Sequence, residues 1–210
     1  MEIRAMIADE RLRLADLVDT LTPEQWAHPS LCGEWTVGEV IGHLVAAVAA
    51  PRSWLLPAAV RNGFSIHRTN AAIAQRMATR GQDVMARELR ANAENPFQPP
   101  IVGYGGPFTD LLIHGQDIRR PLGLPHALLP ERMRVGLDFL VGGRAVGFTP
   151  RKRVAGLRFE AIDLGWSWGS GPVVRGDAEP LMLGLTGRTI VLPELSGDGL
   201  PELRRRLGVA

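Results

Sequence analysis

The chain has one cysteine, Cys32, and one lysine, Lys152, in 210 residues. A lone thiol excludes an intramolecular disulfide and every zinc-finger spacing. Long apolar runs are missing too. The longest, residues 44–50, falls far short of the roughly 20 residues that span a bilayer, so no membrane partner is expected. Charge of one sign is not in excess, with 24 Lys and Arg against 22 Asp and Glu. The pI near 9.3 therefore reflects a small arginine surplus and not a polybasic surface. The basic clusters Arg151-Lys152-Arg153 and Arg204-Arg205-Arg206 are short and carry no interleaved aromatics, which argues against nucleic acid as a partner. Met1-Glu2-Ile3-Arg4 lacks a signal-peptide layout, so the expected location is cytoplasmic. Arginine in place of lysine is the usage of a GC-rich genome.

What is present is an ordinary globular composition, 45% hydrophobic and 22% charged, sized for one large domain or a medium and a small one. Helical spacing dominates the first 145 residues. Ile3, Ile7, Leu14, Leu17, Val18 and Leu21 fall on one amphipathic face. Thr22-Pro23-Glu24-Gln25 and Thr36-Val37-Gly38-Glu39 both have capping-box form, and the second starts a helix with His43 about two turns inside. Pro51 and Pro57 interrupt the chain beyond it, so that helix should end near Ala50. Residues 67–80 and 82–94 read as helices separated at Gly81. A proline- and glycine-rich loop then leads to a helix starting at Pro107 and stopped by Pro121, and another spans 130–142. Long helices with short connections argue for an antiparallel bundle.

The texture changes after Gly147-Phe148-Thr149-Pro150-Arg151-Lys152-Arg153, the best candidate linker. Leu157, Phe159 and Ala161 alternate with polar residues, as a strand does. Trp166-Ser167-Trp168 leads through a glycine-rich turn to Val173-Val174, read as the second strand of a hairpin. Asp177 can cap a helix closed by Gly187. A strand at 189–192 and a helix at 201–207 complete a small α+β unit. The expected domains are residues 1–147 and 154–210.

Two histidines interrupt apolar helical patterns. Neutral imidazole is the commonest transition-metal ligand. On the second of these helices Asp110, His114 and Asp117 have i, i+4, i+7 spacing and share one stripe. Two histidines and a carboxylate converging from two helices would make a three-ligand divalent site with an open position. Spacing leaves two ligand sets open. One is His43, Asp110 and His114. The other is His43, His114 and Asp117, with Asp110 orienting a histidine from behind. His28, His67 and His126 sit in polar, turn-like contexts and read as surface residues. Cys32 precedes Gly33 at a helix entrance, where a free cysteine packs as a small hydrophobe. Trp26 and Trp35 flank that loop and are expected to bury against the end of the bundle.

Leu21-Thr22-Pro23-Glu24-Gln25-Trp26, then Pro29-Ser30-Leu31-Cys32-Gly33-Glu34-Trp35-Thr36-Val37 ending at His43-Leu44, together with Asp110-Leu111-Leu112-Ile113-His114, resemble the signatures of the mycothiol-dependent maleylpyruvate isomerase family. These are actinobacterial members of the DinB-like superfamily. The resemblance covers about residues 5–145 and implies a mainly α fold: a DinB-like antiparallel four-helix bundle followed by a small α+β C-terminal domain. It implies that His43, Asp110 and His114 hold a divalent metal, zinc first, with nickel, iron or manganese as alternatives. Here an aspartate stands where the isomerase has glutamate, which keeps Asp117 open as an alternative ligand or as a residue behind the ligands. The resemblance further implies mycothiol as thiol cofactor, a small electrophile as substrate and Arg188 as the catalytic arginine that orients it. The expected activity is S-transfer or isomerisation by thiol addition and elimination, in a monomer or homodimer. The alternative is a non-catalytic metal-binding or regulatory protein on the same fold.

Overall fold

The computed structural model describes residues 2–125 and 128–209; His126, expected to be a surface histidine, lies outside the described residues. The chain divides into two compact units, Met1–Phe97 with His114–His126, and Gln98–Ile113 with Ala127–Ala210. No single helix among the described residues is long and apolar enough to cross a membrane.

The first unit is helical. It contains α1 (Ile3–Thr20), α2 (Pro23–Trp26), α3 (Val37–Ala49), α4 (Leu55–Arg61), α5 (Ile66–Ala78) and α6 (Gln82–Ala91). Its core is the apolar stripe of each long helix: Ile7, Leu14 and Val18 from α1, Val40, Ile41 and Val45 from α3, Ile73 and Met77 from α5, Met85 and Leu89 from α6. Arg11 joins that core, with its Nη1 donating to the carbonyls of Asn92, Ala93 and Asn95 at 2.9, 2.9 and 3.0 Å. Those bonds tie α1 to the carbonyls of the turn that follows α6, while burial pushes the guanidinium below its ordinary pKa. Gln82 Nε2 ties α6 in turn to the end of α1, donating to Leu21 O at 2.9 Å.

Both capping boxes form as expected. Thr22 Oγ1 accepts from Gln25 N at 3.2 Å and Gln25 Oε1 accepts from Thr22 N at 3.0 Å. One difference comes after Pro51, where a turn of 3₁₀ helix (Arg52–Trp54) runs into α4. Pro57 is tolerated because it stands at the third position of α4, where a backbone N–H would have no intrahelical partner.

The second unit holds the first part of α7 (Gly105–Arg119), then α8 (Pro130–Val141), α9 (Arg151–Val154), α10 (Ala178–Leu185), α11 (Leu200–Arg206) and the strands β1 (Arg158–Ala161), β2 (Trp166–Gly169) and β3 (Val173–Gly176). The helix expected from Pro107 starts two residues earlier, and the expected linker contains the turn of α9.

The sheet corrects the expected hairpin. Its order is β2-β1-β3, with β1–β2 antiparallel and β1–β3 parallel. After β2 the chain crosses the start of β1 to reach its other edge. Gly169 and Gly171 allow that crossing, with φ of +84° and +117°; a Cβ on either would strike the Leu157 or Gly156 carbonyl oxygen.

The segment expected as a strand at 189–192 is a 3₁₀ helix (Thr189–Glu194). The bridge to β3 comes later, where Ser196 N donates to Arg175 O at 2.8 Å. Asp177 occupies the N-cap of α10 without a side-chain bond. Asp163 supplies the cap instead, its Oδ1 accepting from Ala178 N at 2.9 Å.

Candidate metal centre

His43 is positioned by the start of α3 and by a close helix contact. Thr36 Oγ1 accepts from Glu39 N at 3.2 Å, and Glu39 Oε2 accepts from Thr36 N at 2.8 Å. This box fixes where the helix begins and so which way the seventh helical residue, His43, points. Gly42, just before it, is the point where α5 approaches. A side chain there would run into the Ala74 carbonyl oxygen. Gly38, one turn earlier, lies against the Trp26 indole.

The loop before α3 is closed on itself. Ser30 N donates to Trp35 O at 2.9 Å and Val37 N to His28 O at 2.8 Å. Leu31 N reaches α7, donating to the Asp117 carbonyl at 3.1 Å. Trp35 thereby comes to rest against His43, with ring centroids 5.4 Å apart. Trp26 and Trp35 are both half-buried.

From α7, His114 is 7% exposed and Asp117 is fully buried. His114 Nδ1 lies 2.8 Å from Asp117 Oδ2. An ionised carboxylate only accepts hydrogen bonds, so this contact puts the imidazole proton on Nδ1 and leaves the Nε2 lone pair for a ligand role. The rings of His43 and His114 meet edge to face at 5.1 Å.

α7 is one continuous helix, and Asp110 stands one turn before His114 on it. One potential ligand atom from each of His43, Asp110 and His114 lies within 4.8 Å of the others. Donors sharing a tetrahedral zinc stand about 3.4 Å apart, from bond lengths near 2.1 Å. The three donors thus lie within 4.8 Å of one another, against about 3.4 Å around a bound zinc, even with the shorter aspartate. Two imidazoles and a carboxylate, one imidazole held by a buried acid behind it, are a donor set that fits a divalent ion.

A second group shares His114. The Cys32 sulfur lies within 4.8 Å of potential ligand atoms of His114 and Asp117. The sequence shows Cys32 only as a small hydrophobe at a helix entrance and does not reveal this neighbourhood. The two are joined through the loop's bond to the Asp117 carbonyl, which leaves no trace in residue spacing. Arg188 belongs to the second unit, where its Nη1 donates to Thr186 O at 3.2 Å. His28 and His67 are exposed.

The fold and the site together define a helical protein that brings two histidines and a carboxylate to one point and carries a small three-stranded sheet at its C-terminal end. Comparison with known proteins gives that class its relatives. Residues 7–95 match the family model of the mycothiol maleylpyruvate isomerase N-terminal domain, so the resemblance read from the sequence is borne out there. The crystal structure of a histidine-to-alanine mutant of the mycothiol-dependent maleylpyruvate isomerase is similar over 91% of this chain and 92% of its own, with 15% sequence identity and a TM-score of 0.53. The crystal structure of the mycothiol-dependent maleylpyruvate isomerase matches over the same shares, with 14% identity and a TM-score of 0.49. At such identity the likeness establishes the fold, mostly helical with a small C-terminal sheet. No curated protein matches the chain.

Proposed function

We propose that this chain is a metal-dependent enzyme that uses a thiol, mycothiol, against a small electrophile. S-transfer ranks ahead of isomerisation by addition and elimination, because conjugation needs fewer specialised groups around the reacting carbon. The observation that carries the reading is the convergence of His43, Asp110 and His114 with Asp117 behind His114. The match of residues 7–95 to a mycothiol maleylpyruvate isomerase domain supports the choice of thiol.

A divalent ion bound there would lower the pKa of a thiol at its open position and so supply a thiolate at neutral pH. The chain's own residues do the rest. Asp117 holds His114 in one tautomer and one orientation. Asp110 contributes the negative charge of the ligand set. Trp35, packed on His43, fixes that ring and covers one side of it. Arg188 is the residue proposed to orient an anionic group of the substrate. Cytoplasmic location and domains of residues 1–147 and 154–210 belong to the same reading.

The test is elemental analysis of the untagged chain beside a His43→Ala, His114→Ala double variant, followed by turnover of model electrophiles with mycothiol. Near-stoichiometric zinc that the variant lacks, with thiol-dependent turnover, is the expected result. Absence of metal after incubation with divalent ions overturns the reading. Metal without turnover favours a binding or regulatory protein instead.

A further inference from the structure

The stretch between α3 and the end of α5 has a composition unlike the rest of the chain. From Val40 to Gln82 it contains no aspartate or glutamate, while it carries Arg52, Arg61, Arg68, Arg76 and Arg80. Within it, twelve consecutive positions hold five large apolar side chains that face solvent: Leu55 is 57% exposed, Leu56 67%, Val60 57%, Phe64 71% and Ile66 74%. α4 buries none of its residues fully. Leu56 and Val60 are four apart and share a face of α4. Phe64 comes next, at the tip of the α4–α5 turn with φ of +56°, after Gly63 at +58°. A bulky residue with positive φ is uncommon, and here that conformation sets an aromatic ring into solvent. Trp54 is covered by Arg76, whose Cζ lies 3.8 Å from the ring centroid. Arg52, Arg61 and Arg68, spread along the same segment, are exposed.

We propose that this segment, Arg52 to Arg68, docks the protein on an anionic lipid surface. Exposed apolar side chains interspersed with exposed arginines, on a segment that has no carboxylate of its own to repel lipid phosphate, are the pattern of an interfacial segment. A second copy of this chain fits poorly. A symmetric dimer sets the same patch against itself, which here would gather the arginines of both copies with no carboxylate from either segment to pair them. Protruding side chains also suit an acyl boundary, which needs no matching pockets. The docking is peripheral, because α3, the apolar helix next to it, is buried in the unit's core. The expectation of no membrane partner rested on the lack of a spanning segment, which peripheral docking does not require.

The test is co-sedimentation of the full chain with vesicles of equimolar phosphatidylcholine and phosphatidylglycerol, against vesicles of phosphatidylcholine alone. Binding to the anionic vesicles only, weakened by added salt, is expected. A Leu56→Ser, Phe64→Ser variant should lose it. An Arg61→Gln, Arg68→Gln variant should bind roughly 25-fold more weakly, about fivefold for each arginine near the surface. All four side chains are exposed, and circular dichroism checks that each variant folds. Equal binding to both vesicles, or to neither, overturns the proposal. So does a concentration-dependent dimer abolished by the same apolar substitutions, or binding of poly-glutamate without vesicle binding. None of these readouts depends on the metal centre.

Discussion

Gly42→Ala sets two effects against each other, and the structure decides the sign. In an unobstructed helix interior, alanine is favoured over glycine by about 1 kcal/mol. At Gly42 the new methyl group would meet the Ala74 carbonyl oxygen and stand 3.0 Å from Ala78 N. Both are backbone atoms of α5, so no side-chain rotation relieves the clash. α5 itself must withdraw from α3, and its Ile73, Ala74 and Met77 are buried. Overpacking of a fixed core costs about 1–3 kcal/mol; moving a whole helix belongs at the upper end. The net expectation is a loss of about 2 kcal/mol. Gly115→Ala in α7 is the control. There the nearest atom outside the helix backbone is Arg119 Nη1 at 3.0 Å, the tip of a flexible side chain. It can step aside, so helix propensity should prevail, and stability should be unchanged or raised by up to about 1 kcal/mol. Urea unfolding measures both, with an unchanged m-value showing that stability alone has moved. A Gly42→Ala midpoint at or above that of the parent chain would refute the claim that backbone contact, and not composition, requires this glycine.

Three further outcomes rest on named contacts. Asp117→Ala leaves the buried His114 N–H without its acceptor and should cost about 1–3 kcal/mol in urea unfolding; it should also weaken zinc binding by about 10–100-fold in a chelator competition, and no change in either would remove Asp117 from its role. Asp163→Ala should lose about 1 kcal/mol through the α10 cap, whereas Asp177→Ala, which removes no side-chain bond, should cost clearly less; equal losses would contradict the assignment. Glu202 is held at about 2 by hydrogen bonds from Arg205 and Arg206, so its folded pKa is depressed. Its stabilisation of α11 is present above the ordinary carboxylate range and disappears as pH falls through about 2; a carbon NMR titration of the side chain with its midpoint at the ordinary glutamate value would refute it.

The features legible in the sequence are those completed within a few residues. Both capping boxes are written as Thr-x-x-Gln and Thr-x-x-Glu, and both form, because donor and acceptor lie in one turn. The histidines were legible as polar interruptions of apolar helices. What the sequence hid depends on distant chain. Asp163 caps a helix fifteen residues later, taking the place of the aspartate already at the N-cap. β3 runs parallel to β1 because two positive-φ glycines let the chain cross over, and nothing in the alternation of Val173 and Val174 specifies a partner. Cys32 reaches His114 and Asp117 only through a loop closed by backbone bonds and by Ser30 Oγ, which accepts from Cys32 N at 3.0 Å and donates to Trp35 O at 2.8 Å, and its bond to the Asp117 carbonyl leaves no trace in residue spacing.

The two carboxylates of α7 stand differently toward His114, and helix polarity gives the reason for the contact that forms. Asp110 and Asp117 lie four before and three after His114, so either could serve either role. Every Cα–Cβ bond in a helix tilts toward the N-terminus. Asp117 therefore leans back onto the turn that holds His114 and meets Nδ1, the ring nitrogen nearer the backbone, at 2.8 Å. By the same tilt the Cα–Cβ bond of His114 points toward the turn that holds Asp110. The edge-to-face contact brings His43 to the same ring at 5.1 Å. A carboxylate three residues after a histidine is thus placed to orient it, and one four residues before it is placed to share its ligand. This directionality agrees with the proposed roles, Asp117 behind His114 and Asp110 as third donor beside His43.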